Sequence, residues 1–367
     1  MKYLHAIILI LAISSCKKAS FEEIPHIANK NILIILEANN NLKKEAFKTI
    51  NDIEKAYDET IEGVIFVYLR SESDESVLIK IKADHDLNTI SSDTVEIFKN
   101  SFSSAQLIGE VAYKVQKITP ALSYGIILWS HATSWFPTVD RLPKTKSFGN
   151  DNGLEIDIID LAAAIPKNYE FIMFDACNMA SLEVIFEFKD NCKYFLASPT
   201  EIISTGFPYH DIITDLMHNR LENVAQKYYQ YYYNYTGLMQ SATVSLVLTK
   251  ELDLLAELFA KSIISNNNVN LFKRENVQRM DFSDNFPVKT FDFASYLKEN
   301  FQVNTYLLLL DQIEKTVKFK RNTPYFYGKK LDVFSGLTCY IPEKNDVLNS
   351  YYSKLKWVTK SQIYTFL

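Results

Sequence analysis

Apolar residues along this chain fall into two patterns. Short unbroken runs occur at residues 31–37 (NILIILE), 63–69 (GVIFVYL), 125–130 (GIILWS), 171–175 (FIMFD) and 193–198 (KYFLAS). Runs of this length without polar alternation predict strands covered on both faces. Between them, residues 41–59 place Leu42, Phe47, Ile50, Ile53 and Tyr57 at helical spacing. Residues 104–118, 154–165 and 179–188 also predict helices, and 77–81 predicts a strand antiparallel to its neighbour. Apolar strands joined by helices imply an α/β protein, with a mainly parallel sheet between two helical layers. Ligands in such sheets sit at the carboxyl ends of the strands.

The second half is less regular. Residues 219–235 predict a Tyr-rich helix, 243–248 a strand, 251–264 a helix, and 335–342 (SGLTCYIP) a last strand ending at proline, with a polar break at 266–268. The expected organisation is a core over 31–215 and a C-terminal α+β subdomain over 216–367 that completes the sheet.

The first 16 residues stand apart. Met1-Lys2 opens positively, residues 7–13 are apolar, and Ser14, Ser15 and Cys16 follow. The run is too short to span a bilayer and fits a secretory signal peptide. Ile13-Ser14-Ser15-Cys16 resembles a bacterial lipobox, which would make Cys16 the acylated N-terminus and residues 17–30 a tether. The alternative is a plain signal peptide cut near Ser15. The first reading implies an exported lipoprotein of the cell envelope or cell surface, held at a membrane by its lipid.

Composition narrows the classes. Hydrophobic residues make up 47% of the 367, and 24 Phe with 22 Tyr argue against disorder. The formal net charge is −5 with no long basic stripe, so nucleic-acid binding has no electrostatic footprint. Beyond Cys16, the cysteines are Cys177, Cys192 and Cys339. An odd number in an exported chain points to a free reactive thiol. No CxxC pair or zinc spacing is present, so no metal is expected.

Two strand ends carry candidate chemistry. Ser130-His131-Ala132-Thr133-Ser134-Trp135 follows one buried strand, and Asp175-Ala176-Cys177-Asn178-Met179 follows the next. Sequential parallel strands are usually neighbours, so His131 and Cys177 are expected to face each other as base and nucleophile. A helix beginning near Met179 is expected to lower the thiol pKa. By the residues alone, a Cys closing a strand can equally be core, and a lone His a structural hydrogen-bonder. His210 and His218 lack a strand-end placement. A Ser134 acyl hydrolase lacks a Gly-x-Ser-x-Gly elbow.

LWSHATSW and FDACNMASLE resemble the two catalytic blocks of the clostripain family of cysteine peptidases, in which an apolar strand leads to His-Gly-x-Gly-Trp and later to Asp-Ala-Cys-x-Met-x-x-x-Glu. The second block matches through Glu183. LASPTEIISTGFPY, FDFASYL, SGLTCYIP and YYSKLKW extend the resemblance over roughly residues 30–358. It implies a caspase-like three-layer fold and a His131–Cys177 dyad cleaving peptide or protein substrates, probing basic residues through an acidic S1 pocket. It also implies an oxyanion hole from the backbone N–H groups of Ala132 and Cys177. Asp175 matches a family acid of the S1 pocket, or else caps the helix near Met179. Three positions depart from the pattern. Ala132 and Ser134 replace glycines, and Thr205 stands where a second S1 acid belongs, with Trp135 and Thr205 as pocket walls. These departures leave open a weakened homologue that binds peptides or an envelope partner. The family is matured by cleavage between the blocks, which places a self-cleavage loop at 136–153 with Arg141, Lys144 and Lys146. Calcium is needed by some members, although this sequence has no calcium loop. The sequence does not set the oligomeric state.

Overall fold

The computed structural model describes residues 27–60, 62–137, 147–265, 271–282 and 290–366. Cys16, Arg141, Lys144 and Lys146 therefore lie outside the described residues, as do most of the tether and the break at 266–268. In chain order, the first elements are β1 (Ala28–Glu37), α1 (Lys43–Ala56), β2 (Gly63–Arg70), β3 (Glu75–Lys80), β4 (Asp93–Lys99), α2 (Ala105–Ile118) and β5 (Ala121–Trp129). Next come β6 (Phe148–Asp151), β7 (Leu154–Ile156), α3 (Ile158–Ala164), β8 (Tyr169–Asp175), α4 (Leu182–Phe188), β9 (Cys192–Ala197), α5 (Tyr209–Met217), α6 (Leu221–Tyr233) and β10 (Thr243–Leu248). The C-terminal elements are α7 (Leu252–Ser265), β11 (Thr290–Asp292), α8 (Phe293–Asn300), α9 (Val303–Thr316), β12 (Val317–Asn322), β13 (Tyr325–Phe326), β14 (Lys329–Lys330), β15 (Thr338–Tyr340), α10 (Asn349–Tyr352) and α11 (Lys356–Ser361).

Nine strands form one sheet in the order β12-β10-β9-β8-β5-β1-β2-β3-β4. The five central strands, β9, β8, β5, β1 and β2, are parallel, and both edges are antiparallel. Alternation in β1 sends Leu33 and Ile35 to one face and Ile32, Ile34 and Leu36 to the other. The first face is covered by α2, α3, α4, α7, α8, α9 and α11, through residues such as Val111, Leu161, Phe259 and Trp357. The second is covered by α1, α5 and α6, through Ile50, Ile213 and Tyr228. The result is the expected three-layer α/β architecture. Side-chain caps fix several helix starts: Ser104 accepts from Leu107 N at 3.2 Å and Asp157 from Ile159 N at 2.8 Å.

Several expectations need correcting. β4 was not anticipated, because Val95 and Ile97 are exposed on an edge strand and give no buried run. Residues 148–156 are the β6–β7 hairpin rather than loop, so the expected cleavage loop shrinks and the helix expected from 154 begins at Ile158. α5 lies in a stretch to which the sequence assigns no element, and α8 and α9 fill the irregular C-terminal stretch. β15 pairs with β11 in a separate two-stranded sheet, whereas β10 and β12 extend the main one. Among the described residues, no helix is long and apolar enough to cross a membrane.

Candidate active site

β5 and β8 pair in parallel with Trp129 opposite Asp175. His131 and Cys177 each lie two residues past that pair, at the same level above the carboxyl edge of the sheet. They line a cavity of about 90 Å³, shared with Asp175, Ile202, Ser204 and Gly206. Two features that sequence spacing placed on separate segments are thus one cleft.

Cys177 is partly exposed and in no disulfide. Its Sγ accepts from Ile202 N at 3.2 Å and donates to Ile202 O at 3.7 Å. Burial of the sulfur pushes the thiol up to about 12, and Glu201 and Asp175 add to the rise. The expectation of a helix-lowered thiol is therefore wrong. α4 begins only at Leu182, capped by Ser181 Oγ, and Asn178 turns the chain through φ 61° between sulfur and helix. Desolvation beside two carboxyls outweighs a short, displaced helix. His131 Nε2 lies 2.7 Å from Asn41 Oδ1.

The two altered glycine positions behave differently. Ala132 has no positive φ, and its N–H is unspent among the described residues; the bridge to Phe148 uses Gly149 N to His131 O at 3.0 Å. Cys177 N is unspent in the same sense. Ser134 takes the left-handed conformation instead, at φ 63°. Such a backbone costs a non-glycine residue about 1–2 kcal/mol. Its fully buried hydroxyl meets Ser181 Oγ at 2.8 Å, which ties the histidine loop to the cap of α4 and removes Ser134 as a nucleophile.

Asp175 does not cap a helix. Its buried Oδ2 accepts from Phe207 N at 3.0 Å, and Oδ1 has no hydrogen-bond partner among the described residues. Burial pushes the carboxyl up to about 7, against the Phe207 N–H and the nearby Tyr209 hydroxyl. Gly206 packs on this carboxylate: at φ 65°, a Cβ there would sit 2.6 Å from Oδ2. Only glycine satisfies both the conformation and the approach. Thr205 is exposed, and its hydroxyl meets Tyr232 OH at 2.7 Å. Trp135 is no pocket wall; it is fully buried and stacks on Phe136 at 4.4 Å.

The remaining candidates sit elsewhere. His210 and His218 are exposed on α5 and at its end, away from the cleft. Cys192 and Cys339 are buried thiols. Glu183, the last residue of the Cys block, is buried on α4 and accepts from Tyr340 N at 2.8 Å, so it clamps β15 onto that helix. Among the described residues, no group of His, Cys, Asp and Glu side chains converges to hold a metal ion. Asn41 is not among the candidates that the sequence motifs mark. The signal was available, since Asn39-Asn40-Asn41 directly follows a buried parallel strand.

Comparisons with known proteins bear on the family and the fold. A model of the clostripain family matches residues 34–365. A secreted C11 cysteine protease from Bacteroides thetaiotaomicron, "iotapain", shares the fold with a TM-score of 0.80 at 24% identity, over 92% of this chain and 100% of that one. An inactive zymogen C11 protease from Parabacteroides distasonis matches with a TM-score of 0.77 at 29% identity, over 92% and 99%. A secreted C11 cysteine protease from B. thetaiotaomicron in complex with an irreversible peptide inhibitor matches with a TM-score of 0.77 at 23% identity, over 91% and 99%. No curated protein matches the chain. With nearly its whole length matched, the chain belongs to the clostripain family of cysteine endopeptidases.

Proposed function

We propose that Cys177 is the nucleophile and His131 the general base of peptide-bond hydrolysis, with a preference for basic residues set by Asp175. The carrying observation is the β5–β8 register, which puts both side chains in one cleft. Because the thiol is pushed up to about 12 and donates to Ile202 O, the resting nucleophile is S–H. His131 takes that proton as Sγ bonds to the carbonyl carbon, and the carbonyl electron pair moves onto oxygen. The N–H groups of Ala132 and Cys177, unspent among the described residues, are the donors for that oxyanion. Collapse breaks the C–N bond, and the amine leaves with the proton from His131. Water then repeats the sequence on the thioester and frees Cys177. That a similar fold holds an irreversible peptide inhibitor supports a peptide substrate here.

Asp175 gives the specificity a testable signature. Asp175 lines the cleft, where its carboxylate would meet a lysine ammonium or arginine guanidinium, but a carboxyl at about 7 is ionised only in part near neutrality. The neutral acid does not attract a cation and the carboxylate does. The ratio of kcat/KM for P1-Arg over P1-neutral peptides is therefore expected to rise severalfold between about pH 6 and 8, as Asp175 ionises. Titration of the dyad cancels in that ratio, and Asp175→Asn should flatten it. A wild-type ratio independent of pH would remove Asp175 from S1.

The processing of the chain completes the proposal: export, acylation of Cys16, and self-cleavage after Arg141, Lys144 or Lys146. The secreted protein of like fold supports export. Intact mass spectrometry of envelope-purified protein checks the rest. Wild type should carry an acyl mass on Cys16 and a cut within 138–146, and Cys177→Ala should keep the lipid but stay uncut. An unmodified N-terminus, or equal chain masses in the two proteins, counts against the respective step.

A further inference from the structure

We propose that Asn41 is a positioning residue for His131: its amide oxygen holds the imidazole in the tautomer protonated at Nε2, which leaves Nδ1 as the basic nitrogen. This rests on the reading of His131 as the general base. Nε2 lies 2.7 Å from Asn41 Oδ1. An amide oxygen only accepts, so Nε2 carries the proton, and a neutral imidazole has one N–H. The bond made by one ring nitrogen sets which form the other takes.

The turn that presents Asn41 is bolted down, although its side chain is exposed. β1 neighbours β5 with Leu36 opposite Trp129, so the 39–41 turn emerges beside the histidine loop. Asn40 Nδ2 donates to Glu37 O at 3.2 Å and to Asn150 O at 2.7 Å, while its Oδ1 accepts from Leu42 N at 2.8 Å. Asn39 Nδ2 donates to Asp151 Oδ1 at 2.6 Å, and Asn39 O accepts from Asn152 N at 3.1 Å. Leu42, the next residue, is buried and lines the cleft. Five hydrogen bonds on Asn39 and Asn40 leave Asn41 little freedom except at its own χ angles. A surface asparagine that met His131 by chance would not need this anchoring.

The full chain tests the idea with two substitutions and one spectrum. Asn41→Leu should lower kcat about 10- to 100-fold, as loss of orientation typically does, with KM and thermal midpoint near wild type. Asn41→Asp keeps an acceptor, so it should recover most of the loss and move the pH limb governed by His131 to higher pH. With 15N-histidine labelling, neutral His131 should be protonated at Nε2 in wild type and be a tautomer mixture in Asn41→Leu. Wild-type kcat and an unchanged tautomer in Asn41→Leu would overturn the proposal, as would a loss confined to KM and the thermal midpoint. His131→Ala separates the failures. An inactive His131→Ala beside an unaffected Asn41→Leu overturns the Asn41 role alone, whereas an active His131→Ala overturns the base assignment as well.

Discussion

Cys177→Ala is expected to lower peptide hydrolysis at least ~10⁴-fold while leaving the fold intact, as removal of a covalent nucleophile does. The side chain is small, sits in a cleft and makes its two contacts with the Ile202 backbone, so its loss leaves a minor cavity and no stranded charge. His131→Ala should cost a similar factor, and the double variant little more, because base and nucleophile act as one unit. Steady-state kinetics on P1-Arg, P1-Lys and neutral fluorogenic peptides reads all three. The comparison also tests the protonation state derived above. A thiol pushed up to about 12 should react slowly with iodoacetamide at mildly acidic pH, and rapid labelling would show a preformed thiolate. Cys177→Ala with wild-type turnover would move the nucleophile elsewhere, and the other described cysteines, Cys192 and Cys339, are buried away from the cleft.

The largest effect on stability is expected at Arg70. Its side chain is fully buried at the end of β2 and faces Asp151, with NH2 to Oδ2 at 3.1 Å and Nε to Oδ1 at 3.3 Å. NH1 also donates to Asn100 O at 2.9 Å and Glu75 O at 3.2 Å, and NH2 to Ser73 O at 2.9 Å. Asp151 accepts in addition from Ser103 N at 2.6 Å, and Ser103 Oγ donates to Glu37. Burial pushes the Glu37 carboxyl up to about 7, and the Asp151 charge adds to that rise while Arg70 opposes it. Arg70→Met keeps the volume and removes the only charge of its sign in this cluster among the described residues. A buried carboxylate without its counter-charge and three carbonyls that lose the guanidinium should cost about 3–5 kcal/mol, read from urea unfolding. Asp151→Asn in the Arg70→Met background should recover part of the loss, because the stranded charge goes with it. A loss below about 1 kcal/mol would mean that water replaces the guanidinium. Because Asp151 also holds Asn39, activity should fall with the anchoring of the 39–41 turn.

Much of the fold was legible because a parallel strand buried on both faces leaves a plain mark. The runs NILIILE, GVIFVYL, GIILWS, FIMFD and KYFLAS all became central strands. Elements with one wet face or few residues left no such mark: β4 exposes Val95 and Ile97, and the β6–β7 hairpin reads as a polar stretch. The position of Cys177 and His131 was readable for the same reason, since each closes such a run.

The chain order of residues therefore determined which side chains stand at strand ends, and the resemblance around Cys177 determined the family. Only the tertiary structure decided what surrounds them. Strand order and register brought His131 level with Cys177, burial beside Glu201 and Asp175 raised the thiol, and packing moved the left-handed strain to Ser134. Neither a neighbour ninety positions away, as Asn41 is to His131, nor the solvent lost from a sulfur is written in local spacing. Periodicity records what one element does with water, whereas protonation and orientation depend on which other elements are packed against it.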